Sequence, residues 1–454
     1  MKSISIISAS VLFALSTATA NAAVTPAQAA RLSQDLTPVG AERGPNADGS
    51  IPAWTGGITK IPANYVEGKF HPSPYAADKV QFTINASNYK QYAANLTEGQ
   101  KALFELYPDT FKINVYPTRR SASLPEYAYQ ATIKNATSAQ LIANGNGVGG
   151  ATVGVPFPIP ANGLEAIWNH ILRFRGQQVS TERGQATPTA SGAYNMVKME
   201  DQVSFIYSRP DITAAELADK NLLFYFKQVV NSPARLAGTA LLVHETLDQQ
   251  AEPRKAWTYN TGQRRVRRAP NVAYDTPGTV SDGLRTTDDY DMYNGSPSRY
   301  NWTLVGKKEI YTPYNDYQVH SGDVSYDDIL MPGHINPELV RYEKHRVWVV
   351  EADLKEGMRH IYKKRRFYLD EDSWQVAQVD IYDNRDQLYR VGNAHIVNYY
   401  QVPTTWTTLE VFHDLQSRRY IAMGLDNEDT APDFNAQISD ANFTSNALKR
   451  SGRR

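Results

Sequence analysis

Tyr342-Glu343-Lys344-His345-Arg346-Val347-Trp348-Val349-Val350-Glu351-Ala352 carries apolar groups on both faces that a strand would present. Successive side chains of a strand point to opposite sides. His345, Val347 and Val349 therefore share one face, and Tyr342, Trp348, Val350 and Ala352 the other. An antiparallel sheet that is apolar on both sides must cover the second face with helices or loops, or leave it lining a cavity. Stretches of the same texture, rich in valine, tyrosine, tryptophan and threonine, predict strands over 194–207, 222–230, 236–247, 254–259, 301–312, 341–353, 360–369, 374–383, 388–400 and 407–413. Turn signals such as Asn260-Thr261-Gly262, Asn294-Gly295 and Glu356-Gly357 punctuate them. Several of these stretches exceed the common strand length of ~5–6 residues. Long strands at hairpin spacing predict a β-rich α+β fold whose antiparallel sheet curls strongly or closes into a partial barrel.

Upstream the texture is different. Prolines 38, 45, 52, 62, 72, 74, 108, 117, 125, 156, 158 and 160 break the chain too often for long strands. Helices fit between the breaks at 26–36, at 97–107 behind the capping residue Thr97, and at 164–174, where Leu164, Ile167, Trp168, Ile171 and Leu172 recur at helical spacing. These stripes read as core packing. The helices and proline-rich loops are the expected cover for the concave face of the sheet. The chain thus divides into a leader (1–22), a helical and proline/glycine-rich part (23–190), the curved sheet (191–425) and a polar extension (426–454).

The leader reading rests on Lys2, the apolar run 4–15 and the small-residue motif Ala20-Asn21-Ala22, the pattern of a cleavable secretory signal. A membrane span would need about 20 apolar residues, and Ser5, Ser8 and Ser10 interrupt this one. Cleavage after Ala22 predicts a soluble periplasmic protein of a Gram-negative bacterium. With no cysteine in its 454 residues, the chain offers no thiol for lipidation and no disulfide. Forty-seven basic side chains balance forty-seven acidic ones, so no global field points to nucleic acid.

Motifs of chemistry fail on context. Gly145, Gly147 and Gly150 match G-x-G-x-x-G, but no strand–turn–helix unit surrounds them, and a hairpin or lid loop is the better reading. None of the nine histidines falls in a close metal-binding pair, so no metal and no cofactor is expected. Ser204, Ser208 and Ser325 lack a nucleophile elbow, and no catalytic residue is assigned. The carboxylate runs Asp288-Asp289-Tyr290-Asp291 and Asp370-Glu371-Asp372 read as solvated loops. Arg264-Arg265-Val266-Arg267-Arg268 places four arginines in five positions, following the aromatic segment Trp257-Thr258-Tyr259. It reads either as a solvated edge that deters aggregation or as a docking patch for an acidic partner or an anionic head group.

This hairpin resembles the corresponding segment of outer-membrane lipoprotein-sorting proteins of the LolA/LolB type. Further stretches are similar to one large Gram-negative branch described as a domain of unknown function. They are Leu36-Thr37-Pro38-Val39-Gly40-Ala41-Glu42-Arg43, Asn46-Ala47-Asp48-Gly49-Ser50-Ile51-Pro52-Ala53-Trp54, the strand around Trp348, and Lys364-Arg365-Arg366-Phe367-Tyr368-Leu369-Asp370-Glu371-Asp372-Ser373-Trp374. The resemblance implies a half-open barrel that holds acyl chains in its concavity, and an association with inner-membrane exporters of the resistance-nodulation-division type. It carries over no catalytic residue.

Together these readings give a carrier or accessory protein for a lipid or other hydrophobic molecule, serving a cell-envelope export system. Leu241, Val243, Trp257, Trp348, Val350 and Trp374 are the expected wall of its concavity, and Arg264, Arg265, Arg267 and Arg268 its docking patch. The rivals are a protein-docking or assembly module without lipid, and a hydrolase acting on lipids through a dispersed site.

Overall fold

In the computed structural model, which describes residues 24–269 and 274–452, the two-sided strand around Trp348 is Tyr342–Leu354. The leader lies outside the described residues. In chain order the strands are β1 Phe82–Asn85, β2 Lys112–Val115, β3 Gln140–Ile142, β4 Gly147–Gly149, β5 Gln178–Ala186, β6 Val197–Phe205, β7 Phe224–Ser232, β8 Ala240–Glu245, β9 Lys255–Asn260, β10 Arg265–Arg268, β11 Tyr300–Pro313, β12 Tyr342–Leu354, β13 Lys364–Asp370, β14 Val376–Tyr382, β15 Leu388–Tyr399, β16 Thr404–Asp414 and β17 Arg419–Leu425. The helices are α1 Pro26–Ala29, α2 Glu98–Leu106, α3 Glu126–Ser138, α4 Gly163–Leu172, α5 Ala214–Lys220, α6 Tyr326–Ile329 and α7 Ser445–Ser451.

One large curved sheet runs β1-β2-β12-β13-β14-β15-β16-β17-β5-β6-β7-β8-β9-β10, with β11 also paired to β12. It does not close: β1 and β10 are its ends. Neighbours are antiparallel except where β2 meets β12 in parallel at Val115 and Tyr342, so the sheet is mixed. The glycine motif at 145–150 forms the separate hairpin β3–β4.

Both faces of the central strands are covered, as their composition demands. On one side α4 packs its fully buried Ile167 and Trp168 against a core that includes Val350, Phe367, Val379, Ala394 and Phe412. On the other, Leu103 and Phe104 of α2 meet Ile113, Val391, Val411 and Tyr420. Sequence chemistry fixes where α2 begins. The Thr97 hydroxyl accepts the Gln100 N–H at 3.1 Å while the Gln100 side chain accepts the Thr97 N–H at 3.0 Å, a reciprocal cap that satisfies two otherwise orphaned donors. Asp380 on β14 then accepts the N–H of Gly99 at 2.9 Å, and a Cβ at Gly99 would stand 2.5 Å from that carboxylate and from Val391.

The stretch read as a polar extension contributes, over its described residues 426–452, a packed layer. Ile438, Phe443 and Leu448 are buried against Ala240, Leu242 and Tyr259 of β8 and β9. Three well-spaced apolar side chains in a polar stretch are enough to cover that side of the two strands.

Candidate functional site: a cleft on strands β6 to β9

Register places a row of apolar side chains on one face at the β10 end of the sheet. Val203 pairs with Phe226, Phe226 with Val243, Phe205 with Phe224, and Leu241 with both Gln228 and Thr258. Directly paired residues project to the same side of a sheet. Over the centre of the sheet that side is plugged by α4; here the segment 276–294 forms the roof instead. Between roof and strands lies a cavity of about 240 Å³ lined by Phe224, Phe226, Leu241, Val243, Arg285 and Tyr290, among others. A smaller recess of about 30 Å³ shares Phe224, Phe226, Tyr290 and Asn294 with it, and adds Arg175, Arg183, Asp291 and Glu410.

The charges around this cleft are mostly buried, and most are paired. Asp291 binds Arg173 and Arg175, each at 2.5 Å. Burial pushes its carboxyl up, but the two guanidinium groups override this and hold it down at about 2. Arg183 meets Asp201 and the Tyr290 hydroxyl, and Arg254 meets Glu245 at 2.5 Å. Glu410 accepts the N–H groups of Asp291 and Met292, both at 3.2 Å; burial, and then the Asp291 charge, push it up to about 7. Among the described residues the Arg285 side chain forms no ion pair and makes one hydrogen bond, from Nη1 to the carbonyl of its neighbour Thr286 at 3.3 Å, and its buried Nε has no partner. Burial lowers its pKa, against the pull of Glu410 and Asp289. Five guanidinium groups thus stand against the carboxylates Asp201, Glu245, Asp289 and Asp291 and the easily neutralised Glu410.

Of the six residues expected to wall a concavity, Leu241 and Val243 line this cleft. Trp257 pairs with Leu242, so it faces the opposite side, where its ring lies 4.8 Å from that of His244 and against the C-terminal layer. Val350 and Trp374 have no exposed surface and belong to the solid core. The Trp374 indole donates to the Val39 carbonyl at 2.9 Å and stacks on Trp348 at 6.2 Å. The structure therefore brings together two of the six, and a one-residue step in register accounts for Trp257. The four arginines stand at the sheet's terminal strand: Arg265, Arg267 and Arg268 on β10, and Arg264 in the preceding turn at φ 52°. All four are exposed, and among the described residues none forms an ion pair. Arg265 and Arg267 pair with Asn260 and Thr258 on the cleft face, whereas Val266 and Arg268 pair with Tyr259 and Trp257 on the far face.

The two carboxylate runs are not solvated. Asp288, Asp289, Asp291, Asp370, Glu371 and Asp372 are all buried, because each run meets cations from distant parts of the chain. Arg365 donates to Asp288 at 2.6 Å and Tyr362 to Asp289 at 2.8 Å. Arg120 clasps Asp372 at 2.6 and 2.8 Å, and Arg346 holds Glu371 at 2.6 Å. His345, Asp370 and Asp372 offer ligand atoms within 4.8 Å of one another, a grouping that no local motif announces. Arg120 already binds both oxygens of Asp372, and the Tyr314 ring stacks 3.8 Å from that of His345. Ser325 serves as the N-cap of α6.

A family model described as "Protein of unknown function (DUF1329)" matches residues 83–449. An uncharacterized protein of Pseudomonas aeruginosa is 51% identical over 432 residues, covering 95% of this chain and 94% of its own length. Among solved structures, a putative outer membrane lipoprotein-sorting protein domain from Vibrio parahaemolyticus shares 13% identity at a TM-score of 0.41, over 60% of this chain and 92% of its own. A DUF1329 family protein from Desulfovibrio piger shares 15% at 0.41, with the same coverage. A LolA superfamily protein from Nitrosomonas europaea shares 12% at 0.38, over 63% of this chain and 100% of its own. All three scores lie below 0.5, and the cleft has to be read from its own residues.

Proposed function

Since the chain belongs to the family described as Protein of unknown function (DUF1329), whose description supplies no activity, we propose from the cleft itself that this is a soluble periplasmic carrier or accessory protein that holds a lipid or other hydrophobic molecule and serves a cell-envelope export system. The observation that carries this reading is the hollow beside Phe224, Phe226, Leu241 and Val243, in a sheet whose centre is filled on both faces. If a methylene needs about the ~30 Å³ of a water molecule, about eight fit. At ~0.8 kcal/mol per buried CH₂ they contribute roughly 6 kcal/mol before the costs of association, so the tail alone binds no tighter than about 40 μM. A carrier has to release its cargo, and affinity of that order allows it.

The leader pattern at 1–22 supports export, and no helix among the described residues is long and apolar enough to cross a membrane. Native mass spectrometry of protein released from its own periplasm by osmotic shock tests the reading. The expected result is a mature chain starting at Ala23 with an amphiphile bound; a chain that carries no lipid and, once stripped, takes up no alkyl probe ends the carrier reading. The exposed arginines of β10 favour a docking partner as well, an inner-membrane exporter of the resistance-nodulation-division type in this proposal. A protein complex retained without any lipid would favour the assembly-module reading.

A further inference from the structure

Arg285 stands apart from every other cation at the cleft. Arg173, Arg175, Arg183 and Arg254 each contact a carboxylate, whereas no carboxylate lies within 4 Å of Arg285 among the described residues. Yet Arg285 is only 7% exposed and forms part of the cavity wall. Gly278 packs flat against its guanidinium, where a Cβ would stand 2.6 Å from Cζ, so the roof is shaped to hold this side chain in place. Glu410, the acid whose charge pulls on it most, is turned to the N–H groups of Asp291 and Met292. A buried cation without a partner is costly, and such costs concentrate where a ligand supplies the missing group. A planar guanidinium is suited to gripping carboxylate or phosphate by two parallel hydrogen bonds.

Building on the carrier reading, we propose that Arg285 is the head-group site of the cleft: it takes the anionic head, carboxylate or phosphate, of a single-chain amphiphile whose tail lies along Phe224, Phe226, Leu241 and Val243. The 240 Å³ of the cavity holds one short chain and not the paired chains of a diacyl lipid. The head is charged because a neutral one would leave the buried guanidinium unanswered.

Isothermal titration of the mature protein with decanoate, decyl phosphate, decanol and decyltrimethylammonium tests this. Decanoate or decyl phosphate is expected to bind about tenfold or more tightly than decanol, on the strength of one charge-assisted hydrogen-bonded pair, with the ammonium weakest. The tighter of the two anions identifies the head group. Arg285→Gln should erase the preference while leaving decanol unchanged, and Arg285→Lys should retain part of it. Without ligand, Arg285→Gln should melt no lower than the wild type, because no ion pair is lost; a clear drop in melting temperature would mark Arg285 as structural and overturn the proposal. Equal binding of anions and decanol by the wild type overturns the head-group assignment but leaves the carrier reading standing. An anion preference that survives in Arg285→Gln assigns it to another cation, with the same consequence. Failure of every probe to bind sinks both.

Discussion

Two regions of this sheet solve the same problem in opposite ways. Around β12 to β14 the chain buries Val350, Phe367 and Trp374 completely, closes the face with α4, and matches Asp372 to Arg120 and Glu371 to Arg346. Around β6 to β9 the same face carries Phe226 and Val243, but an irregular segment roofs it, a cavity remains, and among the described residues Arg285 has no counter-ion. A helix delivers a continuous apolar stripe that fills a concavity. The segment 276–294 has no such stripe, and it delivers polar groups that hold a space open. In the first region the buried Asp380 is answered by the Tyr368 hydroxyl and the Gly99 N–H; in the second the buried guanidinium of Arg285 has only its neighbour's carbonyl among the described residues, and there we expect a ligand.

The largest difference should come from cutting a filler out of each region. Trp374→Ala in the solid half should cost about 3–5 kcal/mol in urea denaturation, the range for deleting a large buried aromatic, whereas Leu241→Ala beside the cavity should cost about 1 kcal/mol, since part of its surface already faces empty space. Equal losses would erase the contrast.

Glu410 sharpens it next. Its folded-state carboxyl sits at about 7 against an ordinary 4.5, through burial and the nearby Asp291 charge. The raised value means that the folded protein holds this proton more tightly than the unfolded chain does. The associated stability is complete below pH 4.5 and is lost as pH rises through 7. Glu410→Gln should therefore flatten the stability profile between pH 5 and 8, and exceed the wild type by on the order of 2–3 kcal/mol at pH 8. An unchanged slope in paired denaturation curves would mean that Glu410 is not the buried acid described.

How far the sequence announces this contrast depends on whether the deciding contacts are local. The stretches 301–312, 341–353 and 388–400 were legible as strands because bulky side chains fill both faces, and they appear as Tyr300–Pro313, Tyr342–Leu354 and Leu388–Tyr399. The helix at 97–107 was legible through its cap, whose two hydrogen bonds lie within four residues. β5 was not, because Gln178–Ala186 is mostly polar and becomes a strand through its neighbours β17 and β6. The buried acids looked solvated because their cations lie far away in sequence, as Arg120 does from Asp372. Leu241 and Val243 followed from strand texture, but the side on which Trp257 falls is set by a pairing that texture does not encode. Arg285 had no local signal; only Gly278, whose missing Cβ makes room for it, hints that the stretch is shaped around a side chain.

Filling the cleft is a milder intervention than emptying the core. Leu241→Trp should cost under about 1 kcal/mol, where the same enlargement in a close-packed core costs about 1–3, because the added ring enters existing space. It should also abolish uptake of an alkyl probe measured by titration. Unaltered uptake would place the ligand elsewhere, and a large loss of stability would show that the space is not available.

The smallest effect on folding, and the most selective one on function, belongs to the arginines of the open edge. Arg265 and Arg267 project to the cleft side and Arg268 to the side covered by α7, so the two faces of one short strand can be tested separately. Exposed substitutions usually change stability by no more than ~0.5 kcal/mol, and none of these side chains has an ion pair to lose among the described residues. Arg265→Gln with Arg267→Gln should therefore leave the melting temperature within about a degree or two of the wild type. The pair should slow transfer of cargo to or from the partner, most strongly at low ionic strength, because exposed charges act over a Debye length of only about 10 Å at 0.1 M salt. Arg264→Gln with Arg268→Gln serves as the matched control, removing the same charge away from the mouth of the cleft. A partner that reads the cleft-side charges will distinguish the two pairs, whereas equal slowing by both would indicate attraction to the edge as a whole. Transfer unaffected by either pair at low salt would reduce the patch to a device that keeps β10 from pairing with another chain.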